Sequence, residues 1–181
     1  MPRLHPVAPS NATGKVKELL DTVKNKLGIV PNMTRVMAAS PAALEAYLGF
    51  NGALASGLLD AKTREKLVLM TAQENHCKYC PSAHTAIGKM VGLNHDEMVA
   101  SLEGNGIGPK ATAALAPAKR VLDTKGEISE AGFATARSAD LSEGEIAEVI
   151  AHGALNVFTN YFNIATDVAI DFPKASYTEI A

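Results

Sequence analysis

The chain has 181 residues, a formal net charge of −2 and 47% apolar side chains, enough to fill the core of one domain. Its charge balance and the lack of a long basic run exclude nucleic acid as an expected partner, and no apolar stretch approaches the roughly 20 residues of a membrane-spanning helix. The amino terminus has two prolines in its first six residues and no hydrophobic core, so it is not a secretory signal, and we expect a cytoplasmic protein.

Hydrophobic periodicity and capping residues predict helices along the whole chain, and no alternating strand pattern is present. Gly28 ends the first helix, Ser40 and Pro41 begin the third, and Asp60 is a good N-cap for the fourth. The predicted helices cover residues 13–27, 33–39, 41–56, 61–75, 80–91, a short segment from 94, 110–124, 129–137 and 142–169. The predicted fold class is therefore all-α.

Two features organise these helices. Residues 67–70 are apolar around most of the circumference of the fourth helix, which is typical of a central, buried helix. The sequence Asn-Gly-Ile-Gly-Pro at residues 105–109 is the strongest break in the chain and separates it into two halves.

A weak internal similarity indicates that the two halves are copies of one helical unit. An offset of 82 residues aligns Asp60 with Ser142 and Leu67 with Val149. The same offset places Cys77, Cys80 and His84 on Thr159, Phe162 and Thr166. We therefore predict a single domain, residues 1–181, with an N-terminal arm at 1–12, an active-site half at 29–92 and a second, catalytically silent half at 109–170.

The reactive side chains are concentrated between Glu74 and His84, a segment that contains both cysteines of the chain. On a helix, Cys77, Cys80 and His84 share one face, so the imidazole can reach a thiol. Pro81 suits the first turn of a helix, which puts Cys80 near the N-cap, where helix amides and His84 favour its thiolate. Cys77 then lies just outside the helix and can turn inward, close enough to resolve a sulfenic acid into a disulfide.

Two carboxylates are candidates to orient or charge-balance His84. Glu65 and Glu74 lie nine residues apart, on nearly opposite sides of one helix, so at most one of them can face the thiols. Helical geometry alone does not choose between them. His76 is predicted to be a structural or supporting residue.

Two other kinds of site use the same residues. Zinc accepts Cys77, Cys80 and His84 as ligands, with a fourth from His76, Glu65 or Glu74, but no second CxxC or paired histidines complete the usual set. A metal-binding or redox-sensing protein without turnover is one alternative, and a general thiol–disulfide oxidoreductase is the other.

The last predicted helix carries further polar side chains. His152 lies on an apolar segment, where a satisfied core histidine is the commoner case. Asn156, Asn160 and Asn163 follow a helical spacing on that helix. Their amides are able to hydrogen-bond a ligand or a neighbouring subunit, but we expect them to make buried polar contacts between helices.

The cysteine segment and its upstream glutamate resemble a known family. The residues Arg64-Glu65, Asn75, Cys77, Tyr79-Cys80 and Ala83-His84 are similar to the AhpD-like alkylhydroperoxidase branch of the carboxymuconolactone decarboxylase superfamily. The resemblance covers residues 29–92 well and the second half only in general character. It implies an all-helical fold with a duplicated core, a homo-oligomer from trimer to hexamer, and a thiol peroxidase without cofactor or metal.

The resemblance also assigns roles. Cys80 would attack the hydroperoxide, Cys77 would resolve the sulfenic acid, His84 would act as base, and Glu65, not Glu74, would polarise His84. Glu74 would then be a supporting residue near the site, as would Tyr79 and His76. An external dithiol, a lipoylated or thioredoxin-like protein, would reduce the pair. Tyr79 departs from the AhpD type, which has histidine there; a tyrosine can donate a hydrogen bond but cannot relay a proton near neutral pH. The decarboxylase members lack the CxxC, so lactone decarboxylation is not expected.

Overall fold

The computed structural model of the chain describes residues 3–175; the first two residues of the predicted N-terminal arm and residues 176–181 lie outside the described part. Within residues 3–175 the chain forms nine α-helices and one short 3-10 helix, with no strand. The 3-10 helix is Pro9–Asn11, and the α-helices are α1 (Gly14–Leu27), α2 (Asn32–Met37), α3 (Pro41–Ala55), α4 (Ala61–Glu74), α5 (Tyr79–Met90), α6 (His95–Leu102), α7 (Pro109–Thr124), α8 (Glu130–Ser138) and α9 (Glu143–Thr166). The predicted all-α class is confirmed.

Side-chain caps account for most of the helix starts. Ser40, Asp60, Asn94 and Ser142 each accept a hydrogen bond from a backbone N–H in the first turn of the helix that follows. Gly28 ends α1 in the left-handed conformation, with φ of 76°. The predicted bounds agree with these helices to within about two residues, apart from the end of α9, which stops three residues earlier than predicted.

Helix α4 lies at the centre of the molecule, as its apolar circumference predicts. It packs against α5, α6, α7 and α9, and its residues 66–72 are all buried. Leu67, Leu69 and Met70 have no measurable exposure, so truncating one of them to alanine is expected to cost about 2–5 kcal/mol. This helix is therefore a rigid support for any side chain that projects from it. No helix within residues 3–175 has both the length and the apolarity that crossing a membrane requires.

The two halves of the chain differ in one structural respect that matters for the cysteines. Asp60 and Ser142, which the offset of 82 residues aligns, are both N-caps, and the helices they begin, α4 and α9, pack against each other. Helix α9 continues for 24 residues, whereas the first half breaks at residues 75–78 between α4 and α5. Because of this break, Cys77 precedes α5, so Cys77 lies outside the helix as predicted from an N-cap near Cys80, and only Cys80 and His84 share a helical face.

Candidate active site

The break between α4 and α5 is a helix-ending turn with a histidine where glycine is usual. The N–H of His76 donates to the carbonyl of Gln73 (3.0 Å), and the N–H of Cys77 donates to that of Ala72 (2.9 Å). Together these bonds form a Schellman motif, whose central residue is left-handed; His76 has φ of 53° there. The turn reverses the chain so that α5 begins at Tyr79, and it places Cys77 beside the first turn of α5.

Cys77 and Cys80 form a disulfide across this turn, with their Cα atoms 5.7 Å apart. Lys78 is the N-cap of α5, so Cys80 occupies the second helical position and Pro81 the third. The backbone N–H of Cys80 donates to Cys77 Sγ (3.3 Å). The helix amide that was expected to favour a thiolate at Cys80 therefore contacts the sulfur of Cys77.

Two side-chain amides from α9 contact the sulfur of Cys80 instead. Asn160 Nδ2 donates to Cys80 Sγ at 3.0 Å, and Asn163 Nδ2 donates at 3.3 Å. Asn75 Nδ2 donates to Asn160 Oδ1 (3.0 Å), which fixes the amide of Asn160 with its NH₂ group toward the sulfur. Asn163 Nδ2 also contacts Met33 Sδ (3.4 Å). The sequence indicated buried polar contacts for these asparagines, but not that they meet a cysteine about 80 residues away.

His84 is held by Glu65. Their side chains meet at 2.7 Å between His84 Nδ1 and Glu65 Oε2. A carboxylate only accepts hydrogen bonds, so Nδ1 donates and Nε2 is the nitrogen that remains to accept a proton. His84 lies one helical turn after Cys80 on α5, and Glu65 projects from the rigid α4. Glu74 is not at this site, because it pairs with Lys119 of α7.

Cys80, His84 and Glu65 line one cavity of about 110 Å³. Its wall is mostly apolar, and its other lining residues are Leu27, Pro31, Met33, Thr34, Tyr47, Asn51, Ala55, Arg64, Val68, Tyr79, Ala83, Ile87, His152, Leu155, Asn156, Thr159, Asn163 and Phe172. Cys77 does not line this cavity. It lies at a separate groove of about 390 Å³, together with His76, Lys78, Tyr79, Asn163, Ile164, Asp167, Val168 and Ile170. The two cysteines of the disulfide therefore line different cavities.

Tyr79 joins the cysteine turn to the end of the described chain. Its hydroxyl donates to Asp171 Oδ1 (2.9 Å) and accepts from the N–H of Met33 (3.4 Å), while Asp171 Oδ2 accepts from the N–H of Asn32 (2.7 Å). The ring of Tyr79 packs edge-on against Phe172. Burial raises the pKa of Tyr79, and the charge of Asp171 raises it further, so the phenol stays protonated. Tyr79 therefore has a structural role: it links the turn that holds the cysteines to Asp171 and Phe172.

Three side chains of α9 in the cavity have buried polar atoms without a hydrogen-bond partner among residues 3–175, namely His152 Nε2, Asn156 Nδ2 and Asn163 Oδ1. The prediction of a satisfied core histidine is thus wrong for His152. Burial lowers the pKa of His152, and the positive charge of Arg64 acts in the same direction, so the imidazole is neutral near neutral pH. Within the same described residues, no group of three or more His, Cys, Asp or Glu side chains is arranged to hold a metal ion.

Comparisons with known proteins agree with this architecture. The model of the carboxymuconolactone decarboxylase family matches residues 41–120. No curated protein matches the chain significantly. Among solved structures, the alkylhydroperoxidase AhpD core of an uncharacterized peroxidase-related protein from Ralstonia eutropha JMP134 is 23% identical with a TM-score of 0.85, covering 94% of this chain and 92% of that one.

Two further structures have the same fold. An uncharacterized peroxidase-related protein from Silicibacter sp. TM1040 is 21% identical, with a TM-score of 0.81 over 98% of this chain and 94% of that one. The debrominase Bmp8, solved in complex with 2,3,4-tribromopyrrole, is 18% identical, with a TM-score of 0.76 over 98% of this chain and 94% of that one. At these identities the similarity establishes the fold.

Proposed function

We propose that the chain, which has an AhpD-like fold and matches the model of the carboxymuconolactone decarboxylase family over residues 41–120, is a thiol-dependent peroxidase acting on hydrogen peroxide or organic hydroperoxides. One observation carries the proposal. The sulfur of Cys80 receives two amide hydrogen bonds at a cavity that it shares with the His84–Glu65 pair. A nucleophile, a base and a charge that orients the base are thus present at one site.

In the peroxide step, His84 Nε2 takes the proton of the Cys80 thiol while Glu65 stabilises the resulting imidazolium. The thiolate attacks one oxygen of the hydroperoxide and the O–O bond breaks. The sulfur is oxidised to a sulfenic acid, and the other oxygen leaves with the proton as an alcohol, or as water when the substrate is hydrogen peroxide. The amide groups of Asn160 and Asn163 support this step because donors to a charged sulfur hold it as thiolate.

In the second step, the thiol of Cys77 attacks the sulfenic sulfur of Cys80. An S–S bond forms, water leaves, and the product is the disulfide seen in this structure. The N–H of Cys80 supports Cys77 as the attacking group, since it donates to Cys77 Sγ at the amino end of α5.

A dithiol donor then returns the pair to its reduced form, and the arrangement favours attack at Cys77. Cys77 lies at the groove, apart from the substrate cavity. Cys80 is the better leaving group because Asn160 and Asn163 stabilise its thiolate. The donor therefore bonds first to Cys77 and releases Cys80, and the donor's second thiol then displaces Cys77 while the donor is oxidised to its own disulfide. A lipoylated or thioredoxin-like protein has the chemistry this step needs.

The mostly apolar cavity at Cys80 favours a peroxidase over the alternatives. A general thiol–disulfide oxidoreductase would use the same two cysteines to reduce an exposed disulfide of another molecule. That reaction does not need an apolar cavity around the attacking sulfur. A redox sensor needs no substrate cavity. Cys80 shares an apolar cavity with a base, which is the arrangement expected for turnover of a small hydroperoxide.

We also propose that the chain forms a homo-oligomer. Phe158, Tyr161 and Ile164 of α9 are 40%, 59% and 44% exposed, and their spacing puts them along one side of the helix. Exposed apolar side chains that cluster in this way are typical of a subunit interface. Light scattering at micromolar concentration is expected to give a mass of several chains for the parent and a smaller mass for Tyr161→Glu; a monomeric parent would contradict the proposal.

The proposed activity is tested by following thiols in the reduced protein after mixing with hydrogen peroxide, cumene hydroperoxide or 2,3,4-tribromopyrrole. We expect each hydroperoxide to consume two thiols per chain in the parent, one in Cys77→Ser and none in Cys80→Ser. Oxidation by a simple disulfide but by no hydroperoxide would favour the general oxidoreductase. Consumption of tribromopyrrole with release of bromide would favour dehalogenation, and stoichiometric zinc lost on Cys80→Ser would favour a metal site.

A further inference from the structure

Helix α9 carries a line of buried polar side chains along the cavity. His152, Asn156, Asn160 and Asn163 are spaced by four, four and three residues, so they lie on one face of α9, and each is at most 5% exposed. Asn160 marks the reacting end of this line because its amide contacts Cys80 Sγ at 3.0 Å. With about 1.5 Å of rise per residue, Asn156 lies roughly 6 Å and His152 roughly 12 Å farther along the helix.

The members of this line differ in whether their hydrogen-bonding groups are satisfied. The NH₂ groups of Asn160 and Asn163 donate to the sulfur of Cys80. Three other polar atoms of the line are buried without a partner among residues 3–175: Asn163 Oδ1, Asn156 Nδ2 and His152 Nε2. Of these, Asn156 Nδ2 and His152 Nε2 belong to the side chains that lie farther from Cys80 along α9. Buried polar groups in native proteins are almost always paired, so unpaired ones at a cavity indicate a ligand group that pairs with them.

The rest of the wall limits the chemistry of that ligand. Val68, Ala83, Ile87 and Leu155 give the cavity an apolar surface that suits a hydrocarbon body. Arg64 and Glu65, of opposite charge, both line the cavity, so no net charge favours a carboxylate over a neutral group. A neutral hydroxyl or carbonyl oxygen satisfies Asn156 Nδ2 as an acceptor, and a hydroxyl can also donate to a neutral imidazole.

We propose that the preferred substrate is an organic hydroperoxide with an apolar body and a second, neutral oxygen group, a hydroxyl or a carbonyl, bound by Asn156 Nδ2 and His152 Nε2 about one helical turn or more from Cys80. This assignment rests on the proposed peroxidase function and names its substrate class. Hydrogen peroxide and simple alkyl hydroperoxides react at Cys80 without making these contacts. The site therefore selects among hydroperoxides by the part of the molecule that does not react.

Binding to the oxidised protein tests the site without any turnover. Calorimetry would compare 2-phenyl-2-propanol with its para-(2-hydroxy-2-propyl) derivative, which adds one distant hydroxyl to the same body. We expect the second hydroxyl to tighten binding about three- to tenfold, the range of one neutral hydrogen bond. Asn156→Leu, which is similar in size and lacks the amide, is expected to abolish this difference, and Asn25→Leu, an exposed position on α1, is expected to keep it.

Kinetics on the corresponding hydroperoxides separates this proposal from the proposed function. For the parent, kcat/KM is expected to be higher with the hydroxyl-bearing cumene hydroperoxide as substrate than with cumene hydroperoxide. Asn156→Leu is expected to lose that preference. If neither compound is consumed while the binding difference holds, the peroxidase function is wrong and the polar site stands. Equal binding of the two alcohols to the parent, or an unchanged difference in both Asn156→Leu and Asn156→Ala, would overturn the site.

Discussion

The contact between Asn160 and the sulfur of Cys80 makes a quantitative prediction. Asn160→Leu removes the donor at 3.0 Å while keeping the size of the side chain. A hydrogen bond to a charged group contributes about 1.5–3 kcal/mol, and one pH unit corresponds to about 1.4 kcal/mol. In the reduced protein, the pH midpoint for thiolate formation at Cys80 should therefore rise by about 1–2 units. Asn163→Leu should act in the same direction and more weakly, because its donor lies at 3.3 Å and also contacts Met33.

The effect of Asn160→Leu on the reaction rate of Cys80 is opposite at low and at high pH. A thiolate that forms less readily is also intrinsically more nucleophilic, with a Brønsted coefficient of about 0.4–0.5. Below both midpoints, Asn160→Leu should react roughly 3- to 12-fold more slowly than the parent, and above both it should react roughly 3- to 8-fold faster, so the two pH profiles cross. The assay is the rate of alkylation by iodoacetamide in a Cys77→Ser background, where Cys80 is the one remaining cysteine.

Two controls make this result decisive. Asn25→Leu, on the exposed surface of α1, should leave the profile unchanged. Asn160→Leu also leaves Asn75 Nδ2 without its acceptor, so a loss of about 1–3 kcal/mol of stability is expected, and thermal unfolding would establish that the variant is folded at the assay temperature. A rate reduced by the same factor at every pH, with no shift of the midpoint, would mean that the amide of Asn160 does not stabilise the thiolate of Cys80.

Three further predictions follow from contacts elsewhere. Glu65→Gln should slow oxidation of the reduced protein by at least about tenfold in stopped-flow measurements at unchanged thermal stability, because the imidazolium loses its charge partner; an unchanged rate would remove the carboxylate from the reaction. When the oxidised protein meets a small monothiol and is then alkylated, mass spectrometry should find the mixed disulfide on Cys77 and the alkyl group on Cys80, and the reverse pattern would place donor attack at the other sulfur. The backbone N–H of Asn94 and the ammonium of Lys66, which lies 2.9 Å from the carboxylate, lower the pKa of Glu97 from its usual 4.5. The ionised Glu97 therefore stabilises the fold above about pH 4.5, and this stabilisation is lost as pH falls through the lowered pKa. Glu97→Gln should therefore lower Tm at neutral pH and differ less from the parent in strong acid, whereas an equal difference at both would mean that charge plays no part.

The helices were predictable because their signals are local. Ser40, Asp60 and Ser142 cap helices through contacts three residues ahead, a relation visible in any short window of sequence. The end of α4 near Asn75 and the start of α5 near Cys80 were also predicted, but the form of the turn between them was not, because a histidine takes the left-handed position where glycine would mark the end of a helix. Cys77 therefore lies outside the helical face that Cys80 and His84 share.

The site was predictable only where residues were near in sequence or matched a family motif. The resemblance named Glu65, and the structure brings its side chain to His84, while spacing alone left Glu74 equally eligible. The roles given to these residues stay predictions until the variants are measured. Asn160 and Cys80 are brought together by the packing of α9 against α4 and α5, and a contact between side chains 80 residues apart leaves no trace in periodicity or composition.

Chemical trapping of the sulfenic acid tests directly which of the two sulfurs, that of Cys80 or that of Cys77, attacks the hydroperoxide. Reduced Cys77→Ser and Cys80→Ser would each receive one equivalent of cumene hydroperoxide in the presence of dimedone, which forms a stable adduct with sulfenic acids, and the adduct would be located by mass spectrometry. If Cys80 is the sulfur that attacks, an adduct is expected on Cys80 in Cys77→Ser and none in Cys80→Ser. An adduct on Cys77 in Cys80→Ser, formed as fast as that on Cys80 in the other variant, would contradict that assignment.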